Sequence, residues 1–182
     1  MKKTCKLSLF ILIALSLSAC SLKYEDESIS TADLPELIFR NVTFSRYKDN
    51  ALSLSLSAES LEQYKKGDTA YASKANFQTW DSNKNEATRG YCGLLSIQGD
   101  AEIYKLFSNI LIYDTEQNMT LRAQSLSWNG KTEQLVSGAK EKVTIIRDDL
   151  ELSGTGFSAS GVSRSFAFTN NVSGTINTKE EE

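Results

Sequence analysis

Ala51-Leu-Ser-Leu-Ser-Leu-Ser-Ala58 alternates apolar and polar residues without a break, which indicates a β fold. Successive side chains of a β-strand point to opposite faces of the sheet. The alternation therefore places Leu52, Leu54 and Leu56 on one face and the serines on the other. Residues 51–58 are interpreted as a strand with one buried face.

The same period of two continues through the body of the chain. It predicts further strands at residues 110–113, 143–145, 150–152, 165–168 and 172–176, with turn residues such as Asn129-Gly130 between them. One stretch, residues 58–66, also fits a single helical turn, because Leu61 and Tyr64 would share a helix face. Short strands at this spacing predict an all-β antiparallel sandwich or open roll.

An internal repeat supports a hairpin architecture. Leu121-Arg-Ala-Gln-Ser-Leu-Ser-Trp-Asn129 and Leu152-Ser-Gly-Thr-Gly-Phe-Ser-Ala-Ser160 both read leucine, four residues, a large apolar residue and serine, 31 residues apart. Coincidence among serine-rich strands is the alternative. A true repeat predicts stacked hairpins, which bury one face together and leave a strand edge at each end.

The composition excludes several classes of function. The chain has 182 residues, enough for one ordinary domain, with a net charge of -3 and no histidine. It therefore has no Ser-His-Asp or Cys-His nucleophile and no imidazole metal ligand, and an acidic chain is a poor match for nucleic acid. Gly154-Thr-Gly156 is followed by strand-like sequence rather than the helix that a phosphate loop needs. We expect no catalytic residue, no metal, no cofactor and no enzymatic activity.

The first residues have the form of an export signal. Three lysines within residues 1–6 precede an apolar run at 7–17, which is shorter than the roughly 20 residues of a membrane-spanning helix. The run ends in Leu17-Ser-Ala-Cys20, which resembles the lipobox of bacterial lipoproteins. The resemblance implies a signal peptide at residues 1–19 and acylation of Cys20. An ordinary signal peptide and a retained signal anchor are the alternatives.

The predicted domain organisation follows from these features. Residues 20–33 are the lipidated cysteine and a flexible, acidic tether, residues 34–177 are the β domain, and residues 178–182 are an acidic tail. After processing, Cys92 is the one thiol left, so it has no partner for an internal disulfide. Its apolar surroundings favour a small buried side chain over a reactive site.

Several segments in order carry a family resemblance. They are Leu34-Pro-Glu-Leu-Ile-Phe39, Ala123-Gln-Ser-Leu-Ser-Trp-Asn129, residues 135–145, Gly154-Thr-Gly-Phe-Ser-Ala-Ser160 and Phe166-Ala-Phe-Thr-Asn-Asn-Val-Ser-Gly174. Together they resemble the LptC family of lipopolysaccharide-export proteins and the OstA-like rolls related to it. The resemblance implies a twisted, open β-jelly roll of antiparallel strands, through which the acyl chains of the lipid pass.

The resemblance also implies the partners. These are lipopolysaccharide or a related glycolipid, LptF/LptG-type subunits of an inner-membrane ABC transporter, and an LptA-type periplasmic protein. The best-known members keep an uncleaved transmembrane helix, whereas this chain has a lipobox, so here a lipid anchor would join the domain to the membrane. The family favours the inner membrane, while Ser21 after Cys20 argues mildly for the outer membrane.

Two functions remain open on the sequence. The first is glycolipid transport, in which the chain passes acyl chains from the ABC transporter to the LptA-type bridge. The second is an outer-membrane or surface-exposed β-sandwich lipoprotein of structural or adhesin type. For transport, the expected lipid groove consists of inward-facing apolar residues, for which a closed core is the alternative interpretation: Leu54, Leu56, Ile97, Ile110, Ile112, Leu121, Ile145, Phe157, Phe166 and Phe168.

The expected partner-binding edges lie at the two ends of the domain. Open rolls leave unpaired backbone groups on their terminal strands, to which a partner can add a strand of its own. The N-terminal edge would face the transporter and the C-terminal edge the LptA-type protein. The expected edge residues are Phe39, Val42, Phe44, Phe166, Phe168 and Val172.

Overall fold

A computed structural model describes residues 34–176 as an all-β domain. The predicted signal peptide, Cys20 with its tether, and the acidic tail lie outside the described residues. Within residues 34–176 no helix is long and apolar enough to cross a membrane.

The domain contains twelve strands, each paired antiparallel with its neighbours. They are β1 (Leu37–Lys48), β2 (Ala51–Tyr64), β3 (Thr69–Trp80), β4 (Glu86–Gln98), β5 (Ile103–Asp114), β6 (Met119–Asn129), β7 (Gln134–Val136), β8 (Lys142–Arg147), β9 (Leu150–Thr155), β10 (Ser158–Ser160), β11 (Ser165–Ala167) and β12 (Asn170–Ile176).

The sheet begins as a meander and then forks. Strands β1 to β6 pair in sequence order, and β6 pairs with β7 along its C-terminal part and with β8 along its N-terminal part. Two branches continue from there, β7-β10-β11 and β8-β9-β12. Each branch therefore holds one half of three interrupted strands. The halves are β7 with β8, β10 with β9, and β11 with β12.

A line of bends runs across the middle of β1 to β6 and through the interruptions of the later strands, and we call this line the crease. On β1, β3 and β5 it is marked by left-handed residues that are not glycine, Asn41, Lys74, Ser108 and Asn109. Register places the neighbouring bends opposite one another, so that Lys74 lies beside Glu59 with their charged groups 2.6 Å apart. The crease comprises residues 41, 59, 74, 93, 108–109, 124, 137–141, 156 and 169.

The crease changes the spacing of residues that face the same side. In β1, the inner-face residues are Leu37, Phe39, Val42 and Phe44, so the spacing is two, three and two. The same spacing occurs in β3 at 70, 72, 75 and 77, in β4 at 90, 92, 95 and 97, and in β6 at 121, 123, 126 and 128. Strands that bend in this way carry one sheet over onto another.

The crease divides the sheet into two halves whose inner faces meet. Half-sheet A contains residues 37–40, 60–64, 69–73, 94–98, 103–107 and 125–129 with β7, β10 and β11, and half-sheet B contains the remainder. Inner-face residues of both halves belong to one hydrophobic cluster. Glu116 of half-sheet B also pairs with Arg164 of half-sheet A on the side away from the crease, so the two inner faces turn toward each other. The predicted open β-jelly roll is confirmed.

The core beside the crease contains both small and large side chains. Small residues occupy the narrow angle beside the bend, where two backbones approach, and they are almost fully buried: Ala58, Ala72, Ala75, Cys92 and Ala123. At the far end of the crease Phe157 is 1% exposed. Its position is fixed by paired hydrogen bonds, because its N–H donates to Ser137 Oγ and its C=O accepts from the Ser137 N–H, both at 2.9 Å. Burial of such a side chain contributes about 2–3 kcal/mol.

The predicted strands are confirmed, but the helical turn at residues 58–66 is wrong. Residues up to Tyr64 belong to β2, where Ser60 lies opposite Ser73 and Leu61 opposite Ala72. The three-residue step from Ala58 to Leu61 across the crease resembles helical spacing. The repeat has the same origin, because Leu121 to Leu126 and Leu152 to Phe157 are the matching steps across the crease in two strands that run in the same direction.

Candidate functional site

The inner face of half-sheet B is a continuous apolar row across nine strand paths. Each member lies directly opposite the next in the register of neighbouring strands. The row is Phe44, Leu56, Phe77, Gly90, Ile112, Leu121, Ile145, Leu152 and Gly174. At the usual spacing between strands, this row extends for roughly 40 Å.

Half-sheet A presents a matching row from the other side. Its members are Leu37, Gln63, Ala70, Ile97, Tyr104, Trp128, Leu135, Ala159 and Phe166, again directly opposite one another in pairs. Gln63 is the one amide in an otherwise apolar or aromatic set. The two rows lie on the inner faces of the two halves, and we call the strip that they form from edge to edge the path.

The inner face turns polar where half-sheet B ends. The row beyond the apolar one contains Arg46, Leu54, Thr79, Thr88, Asp114, Met119, Arg147, Leu150 and Ile176. Charged residues therefore appear only at the margin that lies farthest from the crease. A molecule with an apolar body and a polar head would find both surfaces in this order.

All ten predicted groove residues lie on the inner face, at different depths. Five are buried in the core, namely Leu56, Ile110, Leu121, Ile145 and Phe157. Leu54, Ile97, Ile112 and Phe168 are half-buried, and Phe166 is 39% exposed. We call the buried five the floor of the path, and the other five keep part of their surface exposed.

The sequence interpretation missed other residues of the same path. Leu61, Phe77, Tyr104 and Met119 are partly buried against the core, and Trp128 lies in the inner row beside Tyr104. The spacing of two, three and two is the signal that would have identified them. Period two alone places residues beyond each bend on the wrong face.

An aromatic cluster closes the C-terminal end of the floor. The ring centroids of Phe157 and Phe168 are 5.4 Å apart, and Phe166 lies 6.2 Å from each of them. Phe168 also covers Gly154, where an added Cβ would lie 2.7 Å from the ring. These contacts join β11 and the following Phe168 to the buried Phe157 beside the crease, so the predicted edge aromatics also pack against the core.

The side of the roll opposite the crease has no strand joining its two halves within residues 34–176, and we call it the mouth. Glu116, in the β5–β6 turn of half-sheet B, forms an ion pair with Arg164, in the β10–β11 turn of half-sheet A. Both side chains are about two thirds exposed. Exposed ion pairs contribute little to stability. Breaking this pair to open the mouth therefore requires little free energy.

Both ends of the roll are strand edges. In the described sheet β1 pairs only with β2, while β11 pairs only with β10 and β12 only with β9. Phe39 and Phe44 on β1 are exposed, as are Phe166 and Val172 at the other end, and Val42 and Phe168 are half-buried. The edges differ in charge, because β1 carries Arg40, Arg46 and Lys48, whereas residues 165–176 carry no charge.

The titratable groups at the crease have structural explanations. Burial raises the pKa of the Cys92 thiol to about 11, so the thiol is protonated and unreactive, as expected of a buried side chain. A hydrogen bond from Lys74 lowers the pKa of Glu59. Within residues 34–176 no group of histidine, cysteine or carboxylate side chains has the geometry to hold a metal ion.

Comparison with known proteins supports the family resemblance. A family model described as lipopolysaccharide-assembly, LptC-related, matches residues 7–177. A protein of Treponema pallidum (strain Nichols) described as uncharacterized is 23% identical over 163 residues, which cover 89% of this chain and 82% of that protein.

Proposed function

This chain belongs to the lipopolysaccharide-assembly, LptC-related family, and we propose that it carries a glycolipid along the inner face of its roll. The family has a transport-related role in lipopolysaccharide assembly and implies an envelope protein that faces the periplasm. The proposed route begins at the LptF/LptG-type subunits of an inner-membrane ABC transporter and ends at an LptA-type bridge.

The observation that supports this proposal most strongly is the pair of facing apolar rows. An acyl chain of about ten methylenes gains roughly 8 kcal/mol when it leaves water, at about 0.8 kcal/mol for each CH₂. Collecting this energy requires a continuous apolar path rather than scattered contacts. The two rows cross every strand path of the roll, and the charged residues Arg46, Asp114 and Arg147 stand at the margin.

The lipid would lie with its acyl chains inside and its head group at the mouth. The half-buried residues nearest the mouth, Leu54, Ile97 and Ile112, are the first expected contacts. The protein has no bond to make or break in this role. The transporter supplies the energy through ATP hydrolysis, and the roll shields the chains from water.

A lipid anchor on Cys20 is proposed to hold the domain at the membrane, with the inner membrane favoured by the family. The tether at residues 21–33 has an expected end-to-end distance of roughly 20 Å. Labelling cells with a fatty acid tests the anchor. Labelled wild type and unlabelled, unprocessed Cys20→Ala are expected, and label that persists in Cys20→Ala would contradict the anchor.

The two edges are proposed to bind different partners by strand addition. The edge β1 follows the tether and therefore faces the transporter. The edges β11 and β12 have no charge to repel a neighbouring strand and are proposed to receive the LptA-type protein. The exposed apolar residues Phe44 and Val172 would then be covered in the assembled bridge.

Photocrosslinking in cells tests the path directly. A photoreactive amino acid replaces Leu54 or Ile97 on the inner face, and matched controls replace their neighbours Ser55 and Gln98, which point to the outer face. We expect glycolipid adducts from the inner positions and none from the outer ones. A folded protein without adducts at Leu54, Ile97, Ile112 or Phe166 would contradict transport and favour a closed β-sandwich lipoprotein.

A further inference from the structure

The outer face of the roll has an apolar patch at its centre, in otherwise polar surroundings. The outer row beside the crease in half-sheet B reads Thr43, Ser57, Asn76, Tyr91, Leu111, Arg122, Thr144, Ser153 and Ser173. The outer row on the other side of the crease reads Arg40, Ser60, Ser73, Leu94, Phe107 and Ser125. Large apolar residues occur in both rows only on β4 and β5.

Four residues make up this central outer patch, Tyr91, Leu94, Phe107 and Leu111. Tyr91 lies directly opposite Leu111, and Leu94 directly opposite Phe107, so the two pairs flank the crease. Leu94 is 37% exposed and Leu111 is 43% exposed. Their strands are paired on both sides, so this patch is separate from the edges that would bind partners by strand addition.

Positive charges border the patch. Arg122 lies directly opposite Leu111, and Lys105 is two residues before Phe107 on the same face. In the described part of the chain neither cation forms an ion pair. Arg89 is nearby but is already engaged by Glu86 and by the ring of Tyr113, 4.6 Å away. The two outer rows contain no Asp or Glu. Of the carboxylates beside them, Glu59 at the crease is paired with Lys74, and Glu141 lies beside Gly138 at the β7 side.

A shallow recess adjoins the patch on the half-sheet A side. It has a volume of about 160 Å³ and is lined in part by Lys105, Phe107, Ser125, Ser127, Val136 and Gly138. Phe107 and Val136 supply the apolar wall and Lys105 the charge. The recess extends the amphipathic character of the patch toward β7.

We propose that the central outer patch rests on the surface of an anionic lipid bilayer. Surfaces that combine apolar side chains with lysine and arginine bind anionic membranes through burial at the headgroup level and charge attraction. The proposal rests on the lipid anchor at Cys20, whose tether reaches roughly 20 Å and so keeps the domain within reach of the bilayer. Docking through the outer face leaves the mouth and both edges free.

An acidic protein partner fits the patch less well. The patch lies on the outer face of the sheet, and its strands are paired on both sides, so they have no free backbone groups to offer to a peptide. A bilayer needs neither a cleft nor a strand edge. Each cation near an anionic membrane strengthens the docking equilibrium about fivefold.

The experiment places the lipidated full chain in vesicles of phosphatidylcholine with or without phosphatidylglycerol. A fluorescent probe is attached to Ser125→Cys beside the patch or, as a control, to Ser82→Cys in the β3–β4 turn at the mouth. The buried thiol of Cys92 stays unlabelled because its pKa is raised to about 11. A nitroxide quencher on the lipid headgroups reports contact with the membrane.

We expect quenching at position 125 only in the vesicles that contain phosphatidylglycerol, and loss of that quenching at high salt. The double variant Lys105→Gln with Arg122→Gln removes two cations and should weaken the docking equilibrium about 25-fold. The double variant Leu94→Ser with Leu111→Ser should abolish the quenching at position 125. Lys65→Gln with Lys84→Gln removes the same charge from turns at the mouth and should leave quenching unchanged.

Three results would overturn the proposal. A chain that floats with the vesicles but gives equal quenching at positions 82 and 125, or none, overturns docking while the anchor stands. A probe at 125 that responds to a polyglutamate peptide and not to vesicles makes the patch a protein-binding site. A chain that floats with neither vesicle overturns the anchor and the docking together.

Discussion

The ring of Phe77 covers the backbone of Gly90. The two residues lie directly opposite each other on β3 and β4, in the apolar row of half-sheet B. A Cβ on Gly90 would collide with three atoms of the ring. Glycine is needed at position 90 because the ring of Phe77 occupies the space that a side chain there would take. The ring fills that part of the core instead.

Gly90→Ala is expected to lower the free energy of unfolding by about 1–3 kcal/mol, since the ring of Phe77 must leave its position in a packed interior. Chemical denaturation measures the change. Gly138→Ala is the matched control, because its Cβ would meet only the flexible Glu141 side chain. Phe77→Leu should relieve the clash, so the double variant should lose less than the two single losses combined. Full additivity would contradict the contact.

The Cys92 thiol is expected to make the protein less stable at alkaline pH. The pKa of this thiol is raised from 9.0 to about 11 in the folded protein, so above pH 9.0 the unfolded chain loses the proton and the folded chain keeps it. The stabilisation is complete below pH 9.0 and is lost as the pH rises toward 11, by at most about 1.4 kcal/mol for each pH unit.

Comparison with Cys92→Ala isolates this effect from the tyrosines and lysines that titrate in the same range. The alkaline fall in the denaturation midpoint should be smaller in Cys92→Ala than in the wild type. A thiol reagent at neutral pH should react with Cys92 only after unfolding. Rapid reaction in the folded protein would contradict the buried position.

The ion pair between Glu116 and Arg164 is expected to control access through the mouth. Arg164→Glu places two carboxylates together and should open the mouth, which increases glycolipid crosslinking from Ile97. The exchange of both charges, Glu116→Arg with Arg164→Glu, should restore the wild-type yield. Because the pair is exposed, the free energy of unfolding should change by less than about 1 kcal/mol. Equal crosslinking in all three proteins would exclude this role.

Lysine substitutions at the two edges should separate the two partners. Val172→Lys puts a charge on the uncharged C-terminal edge and should weaken capture of an LptA-type protein by at least about tenfold. Ser45→Lys adds a fourth cation to β1, beside Arg46, and should weaken capture of the transporter instead. Pull-down of each partner by each folded, lipidated variant tests this. Loss of both partners in either variant would contradict the assignment of one edge to each partner.

Much of the fold was predictable because apolar and polar residues still alternate within each half of a strand. Residues 51–56 and 143–145 were placed on the correct face from their pattern alone, and the family resemblance supplied the roll. The crease was not predictable in the same way. Its left-handed positions include Lys74 and Ser108, residue types that have no preference for that conformation, so the sequence does not mark them.

The sequence alternation also could not predict how deeply each residue of the candidate site is buried. Ile112 and Leu121 lie opposite each other in one row, yet Leu121 is buried and Ile112 is partly accessible. This difference depends on what the other half-sheet places above each residue, which a strand pattern does not contain. Trp128 was missed for a related reason, because the bend after Ala123 shifts the inner face by one residue.

The crease makes the roll extensible. Each strand path carries its own bend, and so a hairpin can be added or removed without disturbing the bends of its neighbours or the chemistry of either end. One hairpin lengthens the path by about 10 Å, and the 31-residue repeat has the length of one such unit. The length of the domain is therefore set by the number of hairpins that its gene encodes. Duplication of a hairpin would lengthen the domain to span a wider gap between its two partners.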